Sequence, residues 1–514
     1  MKKAKNIMIQ GTMSNAGKSI LCAGLCRIFK EDGLKVAPFK SQNMALNSFI
    51  TKDGFEMGRA QVVQAEAAGV EPDVRMNPIL LKPTTDVGSQ VIVNGKPIGN
   101  MRAAEYFAYK KNLVSDIMEA YNSLAEDFDV IVLEGAGSPA EINLKSDDIV
   151  NMGMARMVDA PVLLAGDIDR GGVFAQLYGT IALLDEEDRS RVKGTIVNKF
   201  RGDKNILAPG LDILEEICGV PVVGVVPYLN VDIDDEDSLS TRLDRKTRKL
   251  IDIAVIKLPR ISNFTDFSPF ENYENVSLRY VMKASELGDP DMIIIPGTKS
   301  TIADLIWLRE SGLEAKILQA ASRKENPAIV FGICGGFQML GRHISDPLKT
   351  EAASLTEIDG MGVLPIETVF ENEKVQTQTH GVLPDVEGPL AGLSGMEYEG
   401  YEIHMGRESS AAGDTDFAKD TNASAHPKQS IICSGSTKET GADVNIYGTY
   451  VHGIFDAPGI SDEILKALCT RRGIDFSELG TFDAAAHKEE QYNILAKALR
   501  ESLDMELIYR IMNR

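Results

Sequence analysis

The chain has 514 residues, with 54 basic and 75 acidic side chains and a formal charge of −21 at pH 7. At about 100–200 residues per domain this allows two to four domains, and 44% hydrophobic with 25% charged residues argues against a mainly disordered chain. So acidic a surface repels phosphate polymers and anionic lipid heads, which argues against a general nucleic-acid or membrane binder; a phosphate ligand must be held by a local device.

At the N-terminus, Met1-Lys2-Lys3-Ala4-Lys5 is basic, but only Ile7-Met8-Ile9 follows as an apolar stretch. A secretory h-region needs about 7–15 apolar residues and a membrane span about 18 or more. Six cysteines without a CxxC pair fit a reducing compartment rather than a disulfide framework or zinc site. The expectation is a cytoplasmic protein.

Residues 5–230 alternate short apolar runs with helical stretches, which predicts an α/β fold with a mostly parallel sheet. The expected strands are Asn6–Gln10, Lys35–Pro38, Asp129–Leu133, Pro161–Ala165, Thr195–Asn198 and Val222–Val226, each rich enough in Val, Ile or Leu to be buried on both faces. The first runs into Gly11-Thr12-Met13-Ser14-Asn15-Ala16-Gly17-Lys18-Ser19, and a helix follows through Leu25 and Phe29. Such a loop turns backbone N–H groups onto phosphate oxygens. Lys18 adds a point charge, Ser19 offers a hydroxyl to Mg²⁺, and the helix N-terminus adds partial positive charge. Gly11, Thr12, Asn15, Ala16, Gly17, Lys18 and Ser19 are therefore the candidate nucleotide-binding residues.

The third strand delivers Glu134 across the crevice from this loop, a candidate second Mg²⁺ ligand. Lys40, after Pro38-Phe39, is a candidate for neutralising phosphate or substrate charge, with a surface lysine as the alternative. Asp148 is a second candidate carboxylate near substrate or phosphate. Asn198 ends the fifth strand, where an amide can read an adenine edge or form a turn.

Around 231–250 an acidic run, Asp232 to Asp237, meets a basic one, Arg242 to Lys249, and reads as a solvated linker. The alternation then restarts with Ile251–Ile256, Met292–Pro296 and Ala328–Phe331, predicting a second α/β domain over 251–456, with a helical tail over 457–514. Ala328–Phe331 leads into Gly332-Ile333-Cys334-Gly335-Gly336, a cysteine between glycines at a strand-to-helix elbow. That setting exposes a nucleophile and stabilises its thiolate. Of the six histidines, His343 falls on the expected elbow helix, while His380, His426 and His487 sit in polar surroundings. His452, at the end of Ile446–Val451, is the best base for Cys334, and His404 is the runner-up. The N–H groups of Gly297, in Pro296-Gly297-Thr298-Lys299, and of Gly335 are the oxyanion candidates.

Five residues separate Gly11 from Gly17 where the common phosphate-loop pattern has four, and this longer loop resembles the dethiobiotin-synthetase-like branch of P-loop proteins. The cysteine elbow with a distant histidine resembles class I (triad) glutamine amidotransferases, whose fold is flavodoxin-like. One departure stands out: Ile454 occupies the position two after His452 where that family carries Glu.

The two halves in this order resemble the cobyric acid synthase family of cobalamin biosynthesis. The most specific pieces are Gln10–Ser19, Pro38–Met44, Glu134–Asn143 and Tyr401–Gly406. The resemblance implies a glutamine-hydrolysing carbon–nitrogen ligase using ATP and Mg²⁺. Such a ligase amidates the b, d, e and g carboxylates of adenosylcobyrinic acid a,c-diamide, a corrinoid, with ammonia from L-glutamine. Two alternatives remain: a cobyrinic acid a,c-diamide synthase, or a P-loop switch ATPase with a structural second half.

Overall fold

The computed structural model describes residues 4–85, 88–233, 248–351, 355–410, 433–435, 445–480 and 483–513. The centre of the expected linker, 234–247, and His426 lie outside the described residues.

In the first half, six parallel strands lie in the spatial order Val222–Pro227, Val192–Phe200, Val162–Asp167, Lys5–Gly11, Val130–Glu134, Val36–Phe39. All six overlap the stretches read from sequence. Their apolar residues are buried because helices cover both faces; from Asn6 to Gly11 the first strand is buried throughout. Chain order reverses across this sheet at Lys5–Gly11, which opens a crevice at the strands' C-terminal ends, where the phosphate loop lies.

Between Lys40 and Arg102 the fold departs from a simple alternation. Gln42–Met44, Ile79–Thr85, Gly88–Val93 and Lys96–Arg102 form a separate four-stranded sheet, and Ser48–Ile50 pairs with Glu56–Gly58 as a hairpin. Alternation along Ile79–Thr85 gives this sheet two faces: Leu81 and Pro83 line the crevice, whereas Lys82 reaches Ser48 and Glu56 on the other side.

The second half carries the strands Val276–Val281, Ile251–Ile256, Met292–Ile295, Ile329–Ile333 and Ile446–Thr449 in parallel, closed by the antiparallel Cys433–Gly435. This is the flavodoxin-like order. A second sheet contains the long antiparallel pair Ile366–Val382 and Glu397–Ser410. His343 corrects the sequence reading: the helix after Cys334 ends at Leu340, and His343 opens a short strand instead.

The C-terminal helices divide their packing. Ile460–Arg472 places Ile464, Leu465 and Leu468 in the core of the second half. Ala484–Ser502 returns to the first half, where Leu495 and Leu499 join Leu21, Leu25 and Phe29. A side chain at Gly24 would fall 2.2 Å from Leu499 Cδ1, so glycine there permits the close helix contact. Among the described residues no helix is long and apolar enough to cross a membrane.

Candidate active site

The crevice at the first sheet's C-terminal ends has a volume of about 1760 Å³ and is lined by Lys18, Ser19, Lys40, Glu134, Asp148 and Asn198, among others. Asn15 (φ 60°) and Gly17 (φ 92°) have left-handed backbones that curl the loop around the crevice. Gly17 is fixed as glycine twice over, since a Cβ would also lie 2.1 Å from Asn198 Nδ2. A Cβ on Gly11 would press at 3.1 Å on Ala16 and on the Lys18 stem. Thr12 donates its hydroxyl to Gln176 at 3.0 Å, and Lys18 Nζ donates to the carbonyls of Met13 and Gly137 at 3.0 and 3.2 Å.

Glu134, 1% exposed, gathers this site. Its Oε1 accepts from Ser19 Oγ and Lys40 Nζ, both at 2.9 Å, and its Oε2 from Gln64 Nε2 at 2.5 Å and Gln61 Nε2 at 3.5 Å. Lys40 is thus a buried ion-pair partner rather than a surface lysine. Ser19 and Glu134 meet with the hard oxygen donors Mg²⁺ prefers. Among the described residues no three His, Cys, Asp or Glu cluster to hold a metal alone, so an ion here would complete its shell with phosphate and water oxygens.

Two expected residues also hold backbone groups at the crevice. Asp148 lines the crevice, but its carboxylate accepts from the backbone N–H groups of Val150, Asn151 and Gly153 at 2.8–2.9 Å. These bonds tie down the turn into the Met152–Val158 helix. Asn198 donates Nδ2 to the Ala16 carbonyl at 2.8 Å, so this amide braces the phosphate loop at the crevice wall.

In the second half, Cys334 sits at φ 51°, ψ −108° between Ile329–Ile333 and the helix Gly335–Leu340. A non-glycine residue held there is strained, the mark of a nucleophile elbow. Its glycines are obligatory: a Cβ on Gly336 would fall 2.0 Å from Ile295 O, and one on Gly332 would fall 2.7 Å from Gly336 O. The thiol is within 3.6 Å of Ile403 O. Burial pushes the thiols of Cys22, Cys26, Cys218 and Cys469 upward, away from reactivity.

His452, 1% exposed, joins Cys334 to a carboxylate that sequence reading missed. Its Nδ1 lies 2.7 Å from Asp266 Oδ2, and Asp266 Oδ1 accepts from the Gly453 N–H at 3.2 Å. Burial alone would lower the imidazole's pKa, but Asp266 on one side and hydrogen-bonded Cys334 on the other raise it to about 10. Asp266 lies on the short turn Phe264–Phe267, 186 residues from His452, with no spacing that links the two. Ile454, the departure noted in the sequence, is packed in the core. The runner-up His404 is engaged elsewhere: Nδ1 faces Gly406 O at 2.7 Å, Nε2 faces Glu402 at 3.2 Å, and the ring stacks on Tyr450. Gly297 and Gly335 border the site; a Cβ on Gly297 would lie 3.0 Å from His452 Cε1, and one on Gly335 2.7 Å from Thr298 Cγ2.

Residues 7–239 match the CobQ/CobB/MinD/ParA nucleotide binding domain and residues 252–460 the CobB/CobQ-like glutamine amidotransferase domain. Over 99% of both chains, the protein is 62% identical to a protein of Lachnoclostridium phytofermentans named cobyric acid synthase. The chain belongs to the cobyric acid synthase family. A second relative with that name, from Ruminiclostridium cellulolyticum, is 60% identical over 99% of this chain and 97% of its own. With family membership shown, both halves have a place in one ligase: a nucleotide-binding half and a glutamine amidotransferase half.

Proposed function

We propose that this protein amidates the b, d, e and g carboxylates of adenosylcobyrinic acid a,c-diamide, using ATP and the amide nitrogen of L-glutamine, and releases adenosylcobyric acid. The observation that carries the reading is the pairing, in one chain, of a phosphate loop facing Glu134 with a strained Cys334 joined to His452 and Asp266. The relatives' name supplies the corrinoid.

A carboxylate is a poor electrophile. The first half overcomes this by passing the γ-phosphoryl group of ATP to a corrinoid carboxylate, giving an acyl phosphate and ADP. Lys18 leaves its carbonyl partners for the phosphates, and Lys40 offsets charge beside Glu134. Ser19 and Glu134 would hold Mg²⁺, which supplies charge neutralisation on the phosphates. The crevice, at about 1760 Å³, is large enough for a macrocycle to turn and present successive edges.

In the second half, Cys334 attacks the glutamine amide carbon. The N–H groups of Gly335 and Gly297 receive the developing oxyanion, and His452, oriented by Asp266, gives its proton to the leaving nitrogen. Ammonia departs, water cleaves the thioester, and glutamate leaves. The insert sheet stands between the two sites. On its far face Lys82, Lys374 and Lys299 gather around Glu56 and Gln90, and such a cationic seam disfavours ammonium over neutral ammonia. Ammonia then displaces phosphate from the acyl phosphate.

Product mass spectrometry tests the assignment. Addition of four amides to the diamide, with one glutamate and one ADP formed per amide, is the expected outcome. Two amides added to cobyrinic acid would place the protein among the a,c-diamide synthases, and ATP turnover indifferent to any corrinoid would reject both.

A further inference from the structure

The two halves are joined by a clasp that ends on the Cys334 site. Asn263 donates its backbone N–H to Asn47 Oδ1 at 2.8 Å, and Ser48 donates its backbone N–H to Asn263 Oδ1 at 3.1 Å. Both asparagines are buried, 1% and 2% exposed. Asn263 holds a left-handed backbone (φ 53°, ψ 40°) and opens the turn that carries Asp266. Beside the clasp, Tyr401 donates its hydroxyl to Ser48 O at 3.2 Å. The Tyr401 ring stacks on His452, and their backbones exchange hydrogen bonds at 3.0 and 2.8 Å. Asn47 and Ser48 therefore touch both supports of the imidazole: the loop bearing its carboxylate and the ring against its face.

At its other end the same stretch of chain touches the phosphate site. Lys40 pairs with Glu134, and Asn43 donates to Gln61, which itself donates to Glu134. Lys40, Asn43 and Met44 line the crevice. A ligand that draws Lys40 from Glu134 onto phosphate changes what anchors this stretch at its start.

We propose that the Asn47–Asn263 clasp, with the Ser48–Tyr401 contact beside it, couples occupancy of the ATP and corrinoid crevice to glutamine hydrolysis at Cys334. This rests on the function proposed above. Asn47 and Asn263 are positioning residues: they act on Asp266 and His452 and touch neither substrate. Each side chain accepts from the backbone of the opposite half, so the clasp carries displacement without net charge and is little affected by salt. Its benefit is chemical, since ammonia is released only when an acyl phosphate can form.

The test compares glutamate release from glutamine alone with release in the presence of ATP, Mg²⁺ and the corrinoid diamide. The wild-type ratio is expected within the ~5–150-fold range usual for coupled sites. In Asn47→Ala and in Asn263→Gly, which keeps the left-handed backbone, the ratio falls to within about twofold of one. Amidation supplied with ammonium chloride instead of glutamine stays within about threefold of wild type, and Asn47→Asp, which keeps the acceptor, retains the coupling. A wild-type ratio of one, full coupling in Asn47→Ala, or loss of ammonia-dependent amidation together with the coupling would overturn the proposal, the last by making the clasp merely structural. Absence of any glutamate release or amidation by the wild-type protein would instead overturn the function on which it rests.

Discussion

The two sites solve their chemistry in opposite ways. Around Cys334 the working groups are already joined, and Cys334, His452 and Asp266 are all buried. Around the phosphate loop the charged groups hold one another, with Lys18 on carbonyls and Lys40 and Ser19 on Glu134, beside a crevice open enough for two large ligands. The difference follows from where the reacting atoms come from. A thiol that forms a covalent bond must be strained and oriented beforehand, whereas phosphoryl transfer between two bound ligands needs positioning and charge compensation that the ligands complete.

Removing the thiol should separate the halves most sharply. Cys334→Ala is expected to lower glutamine-dependent amidation by on the order of 10⁴-fold or more, while amidation from ammonium salts persists. Asp266→Asn comes next, with a fall of about 10³-fold in glutamate release, because an amide neither fixes the imidazole tautomer nor stabilises its charged form. Lys18→Ala reverses the pattern: both nitrogen sources should fail together, by about 10²-fold or more, since the phosphoryl step precedes either. Steady-state rates with each nitrogen donor check all three, and equal losses for both donors in Cys334→Ala would erase the distinction between the sites.

Legibility in the sequence also differed between the two regions. The phosphate loop and the cysteine elbow were readable because each function is concentrated in a contiguous run whose glycines have no alternative; Gly17 and Gly336 leave no room even for a Cβ. The parallel strands were readable because burial on both faces leaves only apolar residues in them. Asp266 was not readable, since a carboxylate that meets its histidine only through the tertiary fold carries no local mark. The insert sheet escaped for a different reason. Lys96–Arg102 is largely exposed, and Gln42–Met44 is only three residues long, too short for a period-two pattern. Asp148 and Asn198 each lie at the crevice as expected, and their backbone partners were not legible because those bonds form only in the fold.

The seam between the sites gives a prediction about stability. Glu56 is fully buried, and although burial alone would raise its pKa, Lys374 and Lys82 hold its carboxyl well below the usual range. Glu56→Gln leaves two buried ammonium groups without their counter-charge, and breaking such an arrangement usually costs about 3–5 kcal/mol. Urea unfolding should show that loss. A variant as stable as wild type would mean that the lysines reach water without Glu56.

The last prediction concerns pH dependence, and it sets the cysteine site against the lysine seam beside it. With a folded pKa of about 10 against an ordinary value of 6.5, His452 contributes stability that is fully present below pH 6.5. Between pH 6.5 and 10 the folded protein keeps a proton that the unfolded chain has lost, so stability falls as pH rises and this contribution is gone above about pH 10. Lys299 acts in the other direction: burial first, then Lys374 and Lys82, bring it down to about 7, so its burial is least favourable below that pH and stability recovers as it rises toward 10.5. The two partly cancel in a wild-type profile, so the difference between wild type and His452→Gln isolates the histidine. That difference should shrink steadily from pH 6.5 to 10 in urea titrations. A difference that stays constant across the range would mean that the imidazole holds no extra proton in the folded state, leaving Asp266 as an orienting group without an imidazolium to stabilise.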